Sequence, residues 1–192
     1  MPGYTDPYTY PGSDVLRNIP HIRDLRRLTD FEANATFARL AELQARPVSG
    51  RFDLIHLRAI HRYIFQDVFS WAGELRTVNI AKGGQFFAAA AFIGAALDEM
   101  FRQLQTETMN AANFANRAGY YLAEINAIHP FREGNGRTQR EFIRELAIGV
   151  GVRIDWTRTS REEMIAASRG SFKTGDSSEM VALLRKCLRT AK

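Results

Sequence analysis

Apolar positions recur at helical spacing along most of this chain. From about Ile22 to Arg46, residues Ile22, Leu25, Leu28 and Phe31 return every third position, and Phe37, Leu40 and Ala41 continue the face. Pro47 and Gly50 close that helix, and a second follows with Leu57, Ile60 and Ile64 at steps of three and four. Further helical faces are carried by Leu97, Met100, Phe101 and Leu104, and by Phe114, Ala118, Tyr121, Leu122, Ile125 and Ile128. Another helix is expected from near Arg137, with Phe142, Leu146 and Val150 on its apolar side. Ser160 with Glu163 three residues on reads as a capping box, and a last helix carries Met180, Leu183, Leu184 and Cys187. The period changes only between Trp71 and Phe87. There β-branched and aromatic residues flank Lys82-Gly83-Gly84-Gln85, which predicts a hairpin with a glycine turn and is the one strand signal. The first 14 residues hold three prolines, two glycines and three tyrosines, which predicts an extended arm anchored by its tyrosines. The expected fold class is all-α, with one exposed β-hairpin at about residues 76–88. It forms a single domain over 1–192, of which 1–20 are the arm and 21–192 the helical core.

Composition changes this picture little. The chain has 192 residues, 26 basic and 21 acidic, for a formal charge of +5. All but four of the basic residues (Lys82, Lys173, Lys186 and Lys192) are arginine, the residue suited to planar, bidentate recognition of phosphate. On composition alone, codon usage in a GC-rich genome accounts for that bias more readily. No block of five or six like charges exists, which argues against direct nucleic-acid binding. The single cysteine, Cys187, excludes an intrachain disulfide and reads as a small core residue. No apolar run of about 18 residues spans a bilayer, and the opening residues lack the basic and apolar regions of a signal peptide. The expected location is cytoplasmic, with no membrane contact.

Chemistry concentrates between Ile128 and Arg140. An apolar helix ends at His129, because Pro130 cannot continue it, and a new helix is expected from about Arg137. Between them, Gly134-Asn135-Gly136 offers backbone that approaches a ligand closely, beside the orphan N–H donors and positive dipole end of a helix. Arg137, Arg140 and Arg144 share one helical face, the first two near the anion loop. Glu133 is placed to hold Mg²⁺, and His129 has a side chain suited to taking a proton at neutral pH. Alone, each element has a bland reading: a histidine capping a helix, a common glycine turn, a solvated charge. A transition-metal pair of His129 and Glu133 is disfavoured because Pro130 breaks the helix that would align them, and no Gly-Lys-Ser/Thr of a Walker A loop follows the glycines. Together the elements describe a phosphoryl- or nucleotidyl-transfer site.

The string from His129 to Arg140 matches the Fic (Fido) motif, HxFx(D/E)GNGRxxR, at every specified position. The hairpin lies where Fic proteins carry their flap, and Phe69-Ser70-Trp71-Ala72-Gly73 resembles their lead into it. The opening of the chain is similar to short Fic toxins of toxin–antitoxin pairs and to the Fic domains of Bartonella effectors. This resemblance implies a Fic-type helical bundle that transfers AMP from ATP to a Ser, Thr or Tyr hydroxyl of a target protein. It implies that His129 deprotonates the hydroxyl and that Phe131 packs inward to fix the loop. Glu133 then ligates Mg²⁺, Gly134, Asn135 and Gly136 form the anion hole with the Asn135 side chain on the α-phosphate, Arg137 holds the β-phosphate region and Arg140 the γ-phosphate.

The flap, about Ile80 to Phe87, is expected to register an extended target segment by strand addition, with Ile80, Lys82, Gly83, Gly84 and Phe86 positioning it. Many Fic proteins restrain themselves with an (S/T)xxxE(G/N) helix whose glutamate meets the second motif arginine. Ser70–Glu74 and Thr159–Glu163 fit its first five positions, but Leu75 and Met164 follow. The resemblance therefore implies a toxin inhibited in trans by a small antitoxin whose glutamate contacts Arg140. The alternatives are Fic-type transfer of another nucleotide or phosphate moiety, and the catalytic domain of an effector delivered into another cell's cytoplasm. Type II topoisomerase subunits and small GTPases are the targets that the resemblance brings forward.

Overall fold

A computed structural model describes residues 6–82 and 84–190. Its elements are α1 (Leu25–Ala45), α2 (Leu54–Phe65), β1 (Ala81–Lys82), β2 (Gln85–Phe86), α3 (Ile93–Thr106), α4 (Phe114–Ile128), α5 (Asn135–Gly149), β3 (Val152–Ile154), α6 (Arg161–Thr174), α7 (Ser178–Cys187) and β4 (Leu188–Thr190). Helix α4 is the centre: α3, α5, α6 and α7 all pack on it. Its sequence is apolar nearly all round, and Phe114, Ala118, Tyr121, Leu122, Ile125 and Ile128 are buried on successive faces. Gly119 lets α7 come close, since a Cβ there would lie 2.6 Å from the Val181 side chain. Cys187 is buried in the same core, as its spacing predicts. Among the described residues, no helix is long and apolar enough to cross a membrane.

The predicted elements are present, with several differences. Helix α1 lies at the edge of the bundle, packed on α2, and buries Leu28, Thr36 and Leu43. Leu25 and Phe37, expected on its inner face, are 58% and 75% exposed. Helix α5 begins at Asn135, two residues before Arg137, because Gly134 takes a left-handed conformation (φ 83°) and starts the helix directly from the loop. Val150 caps that helix instead of packing inside it. A second antiparallel pair, β3 with β4, joins Val152, Arg153 and Ile154 to Thr190, Arg189 and Leu188. Three residues a side give too few alternations to show in the sequence.

The capping box at Ser160 and Glu163 is formed as predicted. So is the hairpin, with Ala81 opposite Phe86 and Lys82 opposite Gln85, turning through Gly84 at φ 80°. Gly83, expected among the flap residues, lies outside the described residues. Tyr8 and Tyr10 anchor the arm, which is folded back, not extended; Tyr4 lies outside the described residues. Thr9 bridges to Leu16, the Tyr10 N–H donates to the Val15 carbonyl, and the Arg17 N–H to that of Tyr8. The Tyr8 ring meets Trp71 edge-on at 5.3 Å and its hydroxyl accepts from the Thr77 N–H, which ties the arm to the base of the flap.

Candidate active site

The segment between α4 and α5 is held at almost every residue. His129 ends α4 with φ 50° and ψ 64°, a left-handed conformation costly for a residue with a side chain. Arg76 holds it there. This arginine is fully buried and donates from Nε to the His129 carbonyl (2.8 Å) and from Nη2 to that of Ile128 (3.1 Å). Its other bonds run from Nη1 to the Val78 carbonyl (2.7 Å) and from Nη2 to that of Ala88, at the two ends of the flap. Its own N–H reaches the Pro130 carbonyl. One cation thus neutralises the carbonyl end of α4 and joins it to the flap.

Downstream, the Asn135 carboxamide closes a ring on Phe131, accepting from its N–H (2.9 Å) and donating to its carbonyl (2.8 Å). Both polar atoms of Asn135 are therefore engaged on the loop, where the motif resemblance implies a contact to the α-phosphate. Phe131 is buried and stacks on His61, ring centroids 3.8 Å apart. His61 accepts from the Gly73 N–H at Nδ1 (2.8 Å), so its Nε2 carries the proton and donates to the Glu133 carbonyl (3.0 Å). Gly134 cannot be replaced: besides its positive φ, a Cβ would lie 2.2 Å from the Phe65 ring.

Around this loop lies a cavity of about 530 Å³. His129 lines it, with Nδ1 3.3 Å from the Asn126 carbonyl; that carbonyl accepts only, so Nδ1–H is the donor and Nε2 keeps its lone pair. Phe87 of the flap stacks on the imidazole at 3.9 Å. Glu133, Asn135, Gly136 and Arg140 also face the cavity. The Gly134 N–H donates to Glu133 Oε1 (2.8 Å), so a loop donor already holds an anionic oxygen. Arg140 curls back over Gly136 and has no carboxylate partner among the described residues; burial first, then repulsion from Arg137, lowers its pKa. The other two arginines of that face turn elsewhere. Arg137 bonds Glu32 and Thr36 of α1 over the Phe65 ring, outside the residues lining the cavity, and Arg144 is buried against Glu141 and the Leu43 carbonyl.

From the flap, Ile80 and Lys82 reach the cavity, while Phe86 is 78% exposed and points to solvent beside it. Sequence reasoning missed the opposite wall, one face of α6 that presents Met164, Ile165, Ser168 and Phe172, with Arg161 and Arg169 at its rim. That face repeats every three to four residues, so its periodicity was readable, but nothing in it named a ligand. It also missed Phe87, His61 and Arg76. The last two read as an ordinary helical histidine and a surface cation.

His61 and His129 are both pushed down to about 4, chiefly by burial. In the unfolded chain they take up protons near pH 6.5. Between about 6.5 and 4 the unfolded state binds more protons than the native state, so stability falls as pH drops through that window. The urea midpoint is expected to be level above pH 7 and to decline from pH 6.5 downward. A midpoint unchanged from pH 7 to pH 5 would contradict it.

Comparison with known proteins adds the family. The profile of the Fic/DOC family matches residues 51–147, which run from α2 through the flap to the end of α5. The chain belongs to the Fic/DOC family. The protein adenylyltransferase VbhT of Bartonella schoenbuchensis is 44% identical over 97% of this chain, which spans 40% of that longer protein. The Sinorhizobium fredii protein y4lH, named a probable protein adenylyltransferase, is 39% identical over 95% of the chain and 96% of its own length. Among solved structures, the N-terminal Fic domain of a VirB-translocated Bep effector from Bartonella quintana, with ADP bound, superposes with a TM-score of 0.90. It shares 27% identity and is covered over 95% of its chain, against 96% of this one. The Fic architecture expected from the motif is thus present from the arm to α7, including the α6 wall that lies beyond the matched profile.

Proposed function

We propose that this Fic domain transfers AMP from ATP to a serine, threonine or tyrosine hydroxyl of a target protein. One observation carries the reading. A single cavity joins an imidazole with a free Nε2, the glycine N–H donors of a helix start, and a half-buried arginine without a counter-ion among the described residues. A nucleoside triphosphate supplies the negative charge that Arg140 lacks, at a helix start whose Gly134 N–H already holds a carboxylate oxygen. The names of the relatives, and the ADP in the Bartonella quintana domain, support the same chemistry.

In this reaction Nε2 of His129 takes the proton of the target hydroxyl while its oxygen attacks the α-phosphorus. The bond from the α-phosphorus to the bridging oxygen breaks in line, and pyrophosphate leaves. The N–H groups of Gly134 and Gly136 stabilise charge on the α-phosphate, Arg140 takes the terminal phosphate, and Arg137 adds its charge from the outer side of the loop. Asn135 and Phe131 keep the loop in shape. Glu133, a half-exposed carboxylate at the cavity edge, fits a Mg²⁺ ion that draws its other ligands from phosphate and water. That ion, when bound, offsets phosphate charge. The two-stranded flap leaves its backbone edges open to an extended target segment, with Lys82 facing the cavity and Phe86 free to pack on the target.

The reading extends to a toxin controlled in trans. Neither partial inhibitory string meets Arg140. Glu163 is occupied by the Ser160 N–H and by Lys186, and Glu74 lies in the turn before the flap. A small antitoxin presenting a glutamate to Arg140 would compete with the triphosphate. The decisive experiment incubates the protein with cell lysate and ATP labelled at either the α- or the γ-phosphate. Protein labelling from the α-labelled donor alone supports AMP transfer, and labelling from the γ-labelled donor overturns it.

A further inference from the structure

Gln139 is only 3% exposed, yet it lines the cavity, and its Oε1 has no hydrogen-bond partner among the described residues. A buried carboxamide oxygen left unpaired is costly, and buried polar groups are otherwise almost always satisfied. Its surroundings do not supply a donor. Asn126, on the same floor, turns its Nδ2 to the Ser168 carbonyl, and the neighbouring Arg140 folds over Gly136. The position of Gln139 limits what can meet it. It stands three residues along the helix, about 4.5 Å along the axis, from Gly136 of the anion loop. The group that follows the α-phosphate in a nucleotide at that range is the sugar; the base lies further off, toward the apolar wall of Met164 and Phe172.

The geometry points to Gln139 as the residue that recognises the ribose hydroxyls of the nucleotide donor. A ribose diol both donates and accepts, so it satisfies the carboxamide in either orientation of its oxygen and nitrogen. The assignment rests on the cavity being the ATP site, and it adds a preference: the enzyme selects ribonucleotides over their deoxy counterparts. Asn126 and Ser168 lack that role because their contact to each other already closes the floor beside Gln139.

The test measures binding of ATP, 2′-deoxyATP and 3′-deoxyATP by calorimetry, and AMP transfer from each, in the wild-type protein, Gln139→Met and Gln139→Glu. The wild type is expected to lose about tenfold in affinity with one of the deoxy donors, the loss of one hydrogen bond. Gln139→Met, of the same length but apolar, binds all three donors alike, whereas Gln139→Glu keeps the preference because it keeps an acceptor. Should Gln139→Met fail to fold, Gln139→Asn, which draws the oxygen back by one methylene, takes its place with the same expected loss of preference. Equal affinity of the wild type for all three donors overturns the inference, as does a preference that survives in Gln139→Met. If the wild type binds ATP and labels no protein, the adenylylation reading fails while the binding data still decide the role of Gln139. If it binds no ATP, both fall.

Discussion

Arg76→Met is expected to destabilise the protein more than any other single substitution at the site. The buried guanidinium serves four carbonyls with its side chain alone, two at the end of α4 and two at the ends of the flap. Methionine fills much of the volume and satisfies none of them. Each carbonyl stranded away from water costs on the order of 1–3 kcal/mol, reduced where relaxation admits solvent. Breaking such a buried charged network commonly costs about 3–5 kcal/mol, against a total stability of about 5–15 kcal/mol for a domain. Lysine is no remedy, because a single ammonium cannot fork to carbonyls on both sides. Urea denaturation of Arg76→Met and Arg76→Lys checks this. A midpoint within the equivalent of about 1 kcal/mol of wild type, the size of an ordinary surface change, would show that the carbonyls find other partners. The variant that stays folded is also expected to transfer AMP more slowly, since no other donor among the described residues holds the His129 carbonyl in its left-handed turn.

His129→Ala is expected to abolish transfer while leaving the fold intact. The imidazole is half-buried but its polar contacts are slight, one long bond from Nδ1 to the Asn126 carbonyl and the Phe87 stack. Its loss removes the group proposed to take the hydroxyl proton. General-base catalysis of this kind contributes about 10²–10⁴ in rate. Labelling of target protein by α-labelled ATP should therefore fall by at least about a hundredfold, with ATP affinity and melting temperature near those of wild type. Transfer that persists in the folded, ATP-binding variant would remove His129 from the role of base.

Much of this was readable before any coordinates. The motif loop was legible because its chemistry is type-specific. Glycines before a helix, a proline ending another, and arginines one turn apart each have a physical reason to stand where they do. The helical periodicity located the core from Leu97 to Cys187 for the same kind of reason. Leu25 and Phe37 misled because period reports a face and cannot say whether another element covers it; α1 sits at the rim, packed mainly on α2. Arg76 was illegible because an arginine in a polar stretch looks solvated until the carbonyls around it are seen. The structural partners of Arg137 and Asn135 were hidden for a related cause. Glu32 and the Phe131 backbone engage those side chains, and the motif specifies neither a distant glutamate nor a main-chain partner.

Several contacts that brace the motif loop and the flap join residues far apart in the chain. Asp6 reaches Arg132 across 126 residues, Glu32 reaches Arg137 across 105, His61 reaches Glu133 across 72, and the Tyr8 hydroxyl meets Thr77 across 69. The helices beneath them rest on neighbours four residues away. Closing a long loop costs entropy that local turns do not pay, and contacts of high separation set the slow end of folding. The scaffold and the chemistry of this enzyme are therefore expected to arrive at different times. In a refolding experiment, helical signal should return first and AMP transfer after it, so a nascent chain already rich in helix is still catalytically silent.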